Sequence, residues 1–268
     1  MVEINSWLIF GVFLKKNKKI LLIGGSGILG SAIINSKKFK NLDYPSKKKL
    51  DLLKENTIKK YLKKNYNLII NCAALARMKE CEKNPSKAVN INIFGTANLV
   101  KEIINYQSKY KKEIKLIHMS SDGVYPSLKG NYKENSFLMP YNIYGWTKLS
   151  SEFIVKMLDD FIIIRTKFFD KNKIRFNTAP TDAFSSMIEV QDLVSNIANI
   201  SNIKYSGVLN IGDKKRSEYN HYKRFSSLIR PCKRKDINKG LNFKIAKDSS
   251  LDLKFYNNIK NKLWKKFQ

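Results

Sequence analysis

Gly24, Gly27 and Gly30 stand three residues apart directly after the apolar run Ile20-Leu-Leu-Ile23, and no other feature of the chain restricts its fold as much. A strand ending in such glycines turns sharply at the first, lets a bound group approach the backbone at the second, and lets the following helix pack closely on the sheet at the third. The helix N-terminus adds unpaired N–H groups and a partial positive charge, which suit phosphate. The segment is expected to be the phosphate loop of a dinucleotide site, although a Gly-rich turn before an ordinary helix has the same local pattern.

Downstream, apolar runs alternate with helical periodicity. Ile28 to Lys38 predicts a helix, Asn41 to Tyr44 a short strand stopped by Pro45, and Asn56-Thr57 an N-cap for a helix to Lys64. Asn67 to Asn71 predicts a buried strand, Pro85 to Tyr110 a long helix with Gly95 as a break or close packing point, and Ile114 to Met119 a further strand. A helix from Tyr141 to Leu158 and a strand from Phe161 to Arg165 follow. This order predicts an α/β fold with a Rossmann-type, doubly wound parallel sheet. Beyond Thr166 the regularity fails, and residues 167–187 are expected to be loop. A helix from Val190 to Ile200, a strand from Gly207 to Ile211, a helix near Tyr219 to Ile229 and a basic amphipathic tail from Asn258 complete the pattern. The expected organisation is an N-terminal extension at 1–17, a dinucleotide-binding core at 18–166, and a small, reduced lobe at 167–268 interleaved with the core.

Composition narrows the partners. The chain has 268 residues and a formal charge of +29, which taken alone suggests nucleic acid or an anionic membrane. Arginines are few, however, and the lysines are scattered among abundant Asn and Ile, whereas a nucleic-acid face clusters its charge and uses Arg for bidentate contacts. Specific nucleic-acid binding is therefore not expected. Cys72, Cys81 and Cys232 are odd in number and lack paired spacing, so neither a disulfide framework nor a zinc site is implied and a reducing, cytoplasmic setting fits. With only His118 and His221, a His-rich metal cluster is excluded, and no metal is expected. His118 lies in an apolar strand and is expected to be a hydrogen-bonded core residue. The run Trp7 to Leu14 is too short to span a bilayer.

Tyr-x-x-x-Lys places a phenol and an ammonium on one helix face. It occurs from Tyr44, Tyr125, Tyr144, Tyr219 and Tyr256, and the first two are followed by Pro, which argues against an interior helical turn. Tyr144 and Lys148 fall on the helix after the strand ending in Ser120-Ser121-Asp122, where they can converge on the C-terminal edge of the sheet.

From about Lys18 to Asp252 the chain resembles the extended short-chain dehydrogenase/reductase superfamily, and within it the dTDP-4-dehydrorhamnose reductase branch. The motifs come in family order: the glycine loop, Leu50-Asp51-Leu52, Asn71-Cys-Ala-Ala74, Glu80-Cys-Glu82 with Pro85, Asn92 and Gly95, Ser120-Ser121-Asp122, Tyr144-x-x-x-Lys148, Arg165-Thr166, and Leu209-Asn-Ile-Gly212. The resemblance implies an NADP(H) cofactor, with NAD(H) as the alternative. Gly24, Ser26, Gly27, Ile28, Leu29 and Gly30 would hold its pyrophosphate, Asp51 and Leu52 would touch the adenine, and Ala73, Ala74 and Met119 would line the cleft. It further implies that Tyr144 is the general acid, that Lys148 holds the nicotinamide ribose and lowers the tyrosine pKa, and that Ser121 hydrogen-bonds the reacting carbonyl, with Asp122 and Phe168 also at the substrate.

The implied activity is reduction of a nucleotide-linked 4-keto-6-deoxy sugar for surface-polysaccharide synthesis, by a cytoplasmic enzyme for which a homodimer is the expected assembly. An epimerase on the same scaffold, or a non-catalytic dinucleotide-binding relative, would share the motifs. The chain departs from the family in lacking a helix and strand after Arg165-Thr166, in Ala76 and Lys79 where Thr and Asp are usual, and in Ile245-Ala246 where Arg-Pro is usual. Gly123 occupies the slot where dehydratases of the superfamily carry Glu, so simple carbonyl reduction is expected rather than dehydration.

Overall fold

The computed structural model describes residues 18–264 apart from 175 and 242, so the extension 1–17 and its apolar run lie outside the described residues. The chain begins β1 (Ile20–Ile23), α1 (Ile28–Asn35), β2 (Leu42–Asp43), α2 (Glu55–Leu62) and β3 (Leu68–Asn71). Next come α3 (Met78–Lys83), α4 (Pro85–Ala88), a π-helical turn at Val89–Phe94, α5 (Gly95–Tyr110), β4 (Lys115–Met119), a 3-10 turn at Asp122–Val124, α6 (Ile143–Val155) and β5 (Phe161–Arg165). The remainder holds β6 (Phe168–Phe169), β7 (Thr178–Pro180), β8 (Phe184–Ser185), β9 (Ile188–Glu189), α7 (Val190–Ile200), β10 (Gly207–Asn210), β11 (Arg216–Ser217), α8 (Glu218–Lys223), β12 (Arg230–Cys232), α9 (Arg234–Asn238) and α10 (Lys254–Trp264).

Six strands form one parallel sheet in the order β2-β1-β3-β4-β5-β10. Both faces are covered, which is why its strands are continuously apolar rather than alternating. In β1, Ile20 and Leu22 enter the core beside α1 and α7, while Leu21 and Ile23 enter the core beside α2 and α5. The chain runs outward from β1 to β2 and then crosses back to β3, so the direction of winding changes between β1 and β3. Open sheets of this kind leave a crevice at the carboxyl ends of such a pair.

Several boundaries differ from the sequence-based expectation. α1 stops at Asn35, and Lys37 just beyond it takes a left-handed φ of 54°. α2 starts at Glu55, because Thr57 lies in its first turn and donates its hydroxyl back to the carbonyls of Asp51 and Lys54. α6 starts at Ile143, capped by Asn142 Oδ1, which accepts from the Gly145 N–H at 2.7 Å. The stretch expected to be loop holds β6 to β8, strands of two or three residues that pair with distant partners β9, β12 and β11, too short for a periodic signal. α8 ends at Lys223, short of the expected Ile229, and the chain turns into β12.

Behind the sheet edge, Arg165 and Glu152 form an ion pair at 2.6 Å with side chains only 1% and 0% exposed. Glu152 also accepts from Ser120 Oγ, and Arg165 Nη1 donates to the Tyr125 hydroxyl at 2.8 Å. Removing one charge of such a pair leaves the other desolvated, so Glu152→Gln is expected to cost about 3–5 kcal/mol in urea denaturation. A loss under about 1 kcal/mol would show that the pair does not hold α6 to β5.

Candidate functional site

Gly24 turns β1 into the loop with a φ of 88°, and a Cβ placed there would stand 2.6 Å from the Ala73 nitrogen. A Cβ on Gly30 would stand 2.2 Å from the Gly24 carbonyl oxygen. These two glycines let the loop seat against the end of β3 and let α1 pack on the loop. Gly27 differs, since only the Gly24 oxygen, at 3.4 Å, would meet a Cβ there, and that face opens to the crevice. The first-turn N–H groups of α1 have no intrahelical partner and point the same way.

The crevice is a cleft of about 780 Å³. Its walls are Gly24 to Gly27, the segment Tyr44 to Lys48 after β2, Leu50 to Leu53, and Cys72 to Leu75 after β3. Of the residues expected at a cofactor, Gly24, Ser26, Gly27, Asp51, Leu52, Ala73 and Ala74 line it. Ile28 is exposed beside it, whereas the Leu29 side chain is in the core and leaves only its backbone to face the cleft. Met119 is buried at the end of β4. The glycine cradle and the unpartnered helix N-terminus fit a dinucleotide pyrophosphate, and Lys47 and Lys48 on the opposite wall fit a further phosphate. Asp43, which ends β2, is turned to other partners: it accepts from Tyr66 Oη at 2.5 Å and lies 3.8 Å from Lys64 Nζ.

Asn92, inside the π-helical turn, links the cleft to α6. Its Oδ1 accepts from the Leu75 N–H at 2.7 Å and its Nδ2 donates to Thr147 Oγ1 at 2.9 Å. Glu82 Oε1 accepts from the Ile143 N–H at 2.7 Å, satisfying the first turn of α6. A Cβ on Gly145 would stand 2.3 Å from the Gly123 carbonyl oxygen, so this glycine permits α6 to lie against the turn after β4. Tyr144 and Ser121 come together there, close enough for the serine to favour the phenolate. Ser121 Oγ also accepts from the Gly123 N–H at 3.0 Å and donates to Asp122 Oδ1 at 3.2 Å.

The electrostatics around Tyr144 differ from what the resemblance implies. Burial, then the charge of Asp122, pushes the phenol above its ordinary value, and the nearby Ser121 hydroxyl opposes this only in part. Lys148 does not lower it, because the Lys148 ammonium position is 3.2 Å from His118 Nε2, on the β4 side of α6. Burial lowers Lys148 to about 8 against the opposing charge of Glu152. Asp122 is itself raised by burial, opposed by the charge of Lys167 and by hydrogen bonds from Ser249, at 2.6 Å, and Ser121.

Phe168 packs against the core beside α7, and its neighbour Lys167 carries the charge that acts on Asp122. Lys167 pairs with Glu218 at the start of α8. Lys167, Glu218 and Ser249 were not singled out from sequence. Lys167 directly follows the Arg165-Thr166 motif, a placement that could have marked it. Among the described residues no cluster of His, Cys, Asp or Glu could hold a metal ion, and no helix is long and apolar enough to cross a membrane.

The family model described as the RmlD substrate binding domain matches residues 18–181. The chain belongs to this family. Among curated proteins this RmlD-family chain is 30% identical over 147 residues to methionine adenosyltransferase 2 subunit beta of Danio rerio, covering 50% of the chain and 42% of that protein. It is 26% identical over 154 residues to dTDP-4-dehydrorhamnose reductase of Mycolicibacterium smegmatis, covering 56% and 45%. The matched stretch thus spans less than half the length of these curated relatives. A dTDP-4-dehydrorhamnose reductase of Bacillus anthracis, solved in complex with NADP, superposes with a TM-score of 0.77 at 20% identity over 88% of this chain and 90% of that one. A hypothetical dTDP-4-dehydrorhamnose reductase of Sulfolobus tokodaii gives 0.76 at 25% identity over 90% and 94%. The expected Rossmann-type fold and superfamily are thereby established for this chain.

Because Tyr144 is raised and not lowered, its phenol is expected to stay protonated through the neutral range. Titrations followed at 295 nm are expected to coincide below about pH 10 for wild type and Tyr144→Phe. A tyrosinate that appears near neutral pH in the wild type and disappears in the variant would contradict this.

Proposed function

We propose that this RmlD-family chain is an NADPH-dependent reductase of a nucleotide-linked 4-keto-6-deoxy sugar. The observation that carries the reading is the placement of the Tyr144 phenol beside Ser121, where α6 meets the end of β4, next to a glycine-cradled cleft. Gly24, Ser26, Gly27 and the first-turn backbone of α1 would hold the pyrophosphate of NADPH, and Asp51, Leu52, Ala73 and Ala74 would flank the rest. The bound cofactor supplies the hydride. Ser121 orients the carbonyl, and Tyr144 gives its phenolic proton to the oxygen as negative charge develops there. A raised phenol remains a competent acid at neutral pH, since it enters the reaction protonated. The dTDP-4-dehydrorhamnose reductases that share the fold support the 4-keto sugar as substrate.

A second reading has specific support. Methionine adenosyltransferase 2 subunit beta is a subunit rather than a named reductase, and in this chain Lys148 bonds to His118 and not to the phenol. A dinucleotide-binding subunit without turnover would show the same cleft.

Oxidation of NADPH in the presence of dTDP-4-dehydrorhamnose separates the two readings. The reductase reading expects turnover, and expects Tyr144→Phe to lower it by about 10²–10⁴-fold while cofactor affinity stays within a few-fold. Binding of NADPH without turnover on any 4-keto nucleotide sugar would favour the subunit. The lysines on the cleft wall, with Asp43 engaged elsewhere, lead us to expect that NADPH binds at least as tightly as NADH. Lys47→Ala/Lys48→Ala is expected to weaken NADPH about tenfold and NADH little, given the strength of charge-assisted phosphate contacts. Tenfold tighter binding of NADH by the wild type would contradict this preference.

A further inference from the structure

β3 and β4 end side by side, with Asn71 opposite His118 in the sheet register, and α6 lays Lys148 and Ser151 over them. The polarity of the hydrogen bonds along this row is fixed from one end. The backbone N–H of Ala73 can only donate, and it does so to Asn71 Oδ1 at 3.1 Å. The amide NH₂ of Asn71 therefore faces His118 Nδ1, at 3.2 Å. Nδ1 accepts, so the hydrogen of the neutral imidazole is on Nε2. Nε2–H donates to Ser151 Oγ at 3.1 Å, and the Ser151 hydroxyl spends its own hydrogen on the Lys148 carbonyl oxygen at 2.7 Å. Lys148 Nζ stands 3.2 Å from that same Nε2. An ammonium carries donors only, and Nε2 presents it with a hydrogen and no lone pair. An uncharged amine has a lone pair with which to share this hydrogen alongside Ser151 Oγ.

We propose that His118 is a positioning residue that holds Lys148 on the β4 side of α6 and favours its uncharged amine over the ammonium. The groups around Lys148 agree. From the end of β3, Cys72 is pushed up to about 12 by burial and stays a neutral thiol. From β4, His118 is fully buried, and burial holds it well below its ordinary value, so it stays neutral. On α6 itself, Glu152 favours the charged lysine but is already committed to Arg165 and Ser120. Tyr144, one turn earlier, lies beside Ser121 and stays a neutral phenol. The state of the amine stands on this network alone, and its consequence for cofactor binding rests on the reductase reading. If the ammonium grips the nicotinamide ribose, as the family resemblance implies, binding above about pH 8 takes up a proton.

Two measurements on the full chain test this. The first follows the ¹³Cε resonances of labelled lysines from pH 6 to 11 in the protein alone. One lysine is expected to titrate near pH 8, apart from the ordinary value of about 10.4. That signal should vanish in Lys148→Met and move up by about one unit or more in His118→Gln, whose amide oxygen offers the ammonium an acceptor. Lys148 titrating with the other lysines, or unchanged in a folded His118→Gln, would overturn the proposal. The second is calorimetry of NADPH binding at pH 9 in two buffers of different ionisation heat, which does not depend on the His118 variant folding. Uptake near one proton per cofactor in the wild type and none in Lys148→Met is expected, and tight binding without uptake would overturn the proposal. Failure to bind NADPH at all would count against the reductase reading, while the resonance titration still decides the role of His118.

Discussion

The close approach of the β1–α1 turn to the end of β3 is the contact on which the rest depends. There is no room for a Cβ at Gly24, against the Ala73 backbone, or at Gly30, against the Gly24 carbonyl. With both contacts made, α1 packs down on the sheet and its N-terminus is aimed along the line where the winding changes direction between β1 and β3. The cleft, its glycine wall and its phosphate-compatible helix end are consequences of that one steric fit. A methyl group at Gly24 would push apart the ends of β1 and β3, which are paired in one buried ladder, and one at Gly30 would lift α1 off the turn.

The second organising element is polar. Open α/β sheets collect functional groups at their carboxyl edge, and a buried edge must satisfy every one of them. Here the work is shared by two networks that meet on α6. Arg165, Glu152, Ser120 and Tyr125 form a charged cluster that fixes α6 against β5, and Asn71, His118, Ser151 and Lys148 form a hydrogen-bonded row that fixes it against β3 and β4. Tyr144 sits on the same helix, held through Gly145 against the turn that carries Ser121. The placement of the phenol and the hydroxyl is thus inherited from the packing of α6.

Much of this was legible in the sequence because it is local. The glycine spacing marks the loop, and the apolar runs mark β1, β3, β4, β5 and β10, because strands buried on both faces need no polar alternation. Among five Tyr-x-x-x-Lys matches, Pro after Tyr44 and Tyr125 sets those two aside, and Tyr144 is singled out from the rest by lying on the helix after the strand that ends in Ser121. What could not be read depends on residues far apart in the chain. The direction of Lys148 follows from a backbone N–H at Ala73, passed through Asn71 to His118, across three elements that only the fold brings together. The raised phenol follows first from its own burial and then from the charge of Asp122, a carboxylate that accepts from Ser249 near the far end of the chain. The pairing of Lys167 with Glu218 spans 51 residues, and the strands at 168–185 are too short to register as periodic. Gly95, ambiguous from sequence, proves to be a packing point, since a Cβ there would lie 3.2 Å from Leu52 Cβ while the helix continues through it.

The central claim is that one cleft, built on the glycine turn, delivers a dinucleotide to Ser121 and Tyr144. A crystal structure of the protein grown with NADPH tests it most directly. The account expects the pyrophosphate within hydrogen-bond distance of the first-turn N–H groups of α1 over Gly27, with the nicotinamide ring beside the Tyr144 hydroxyl. A cofactor seated elsewhere, or one whose nicotinamide turns away from Tyr144 and Ser121, would contradict it.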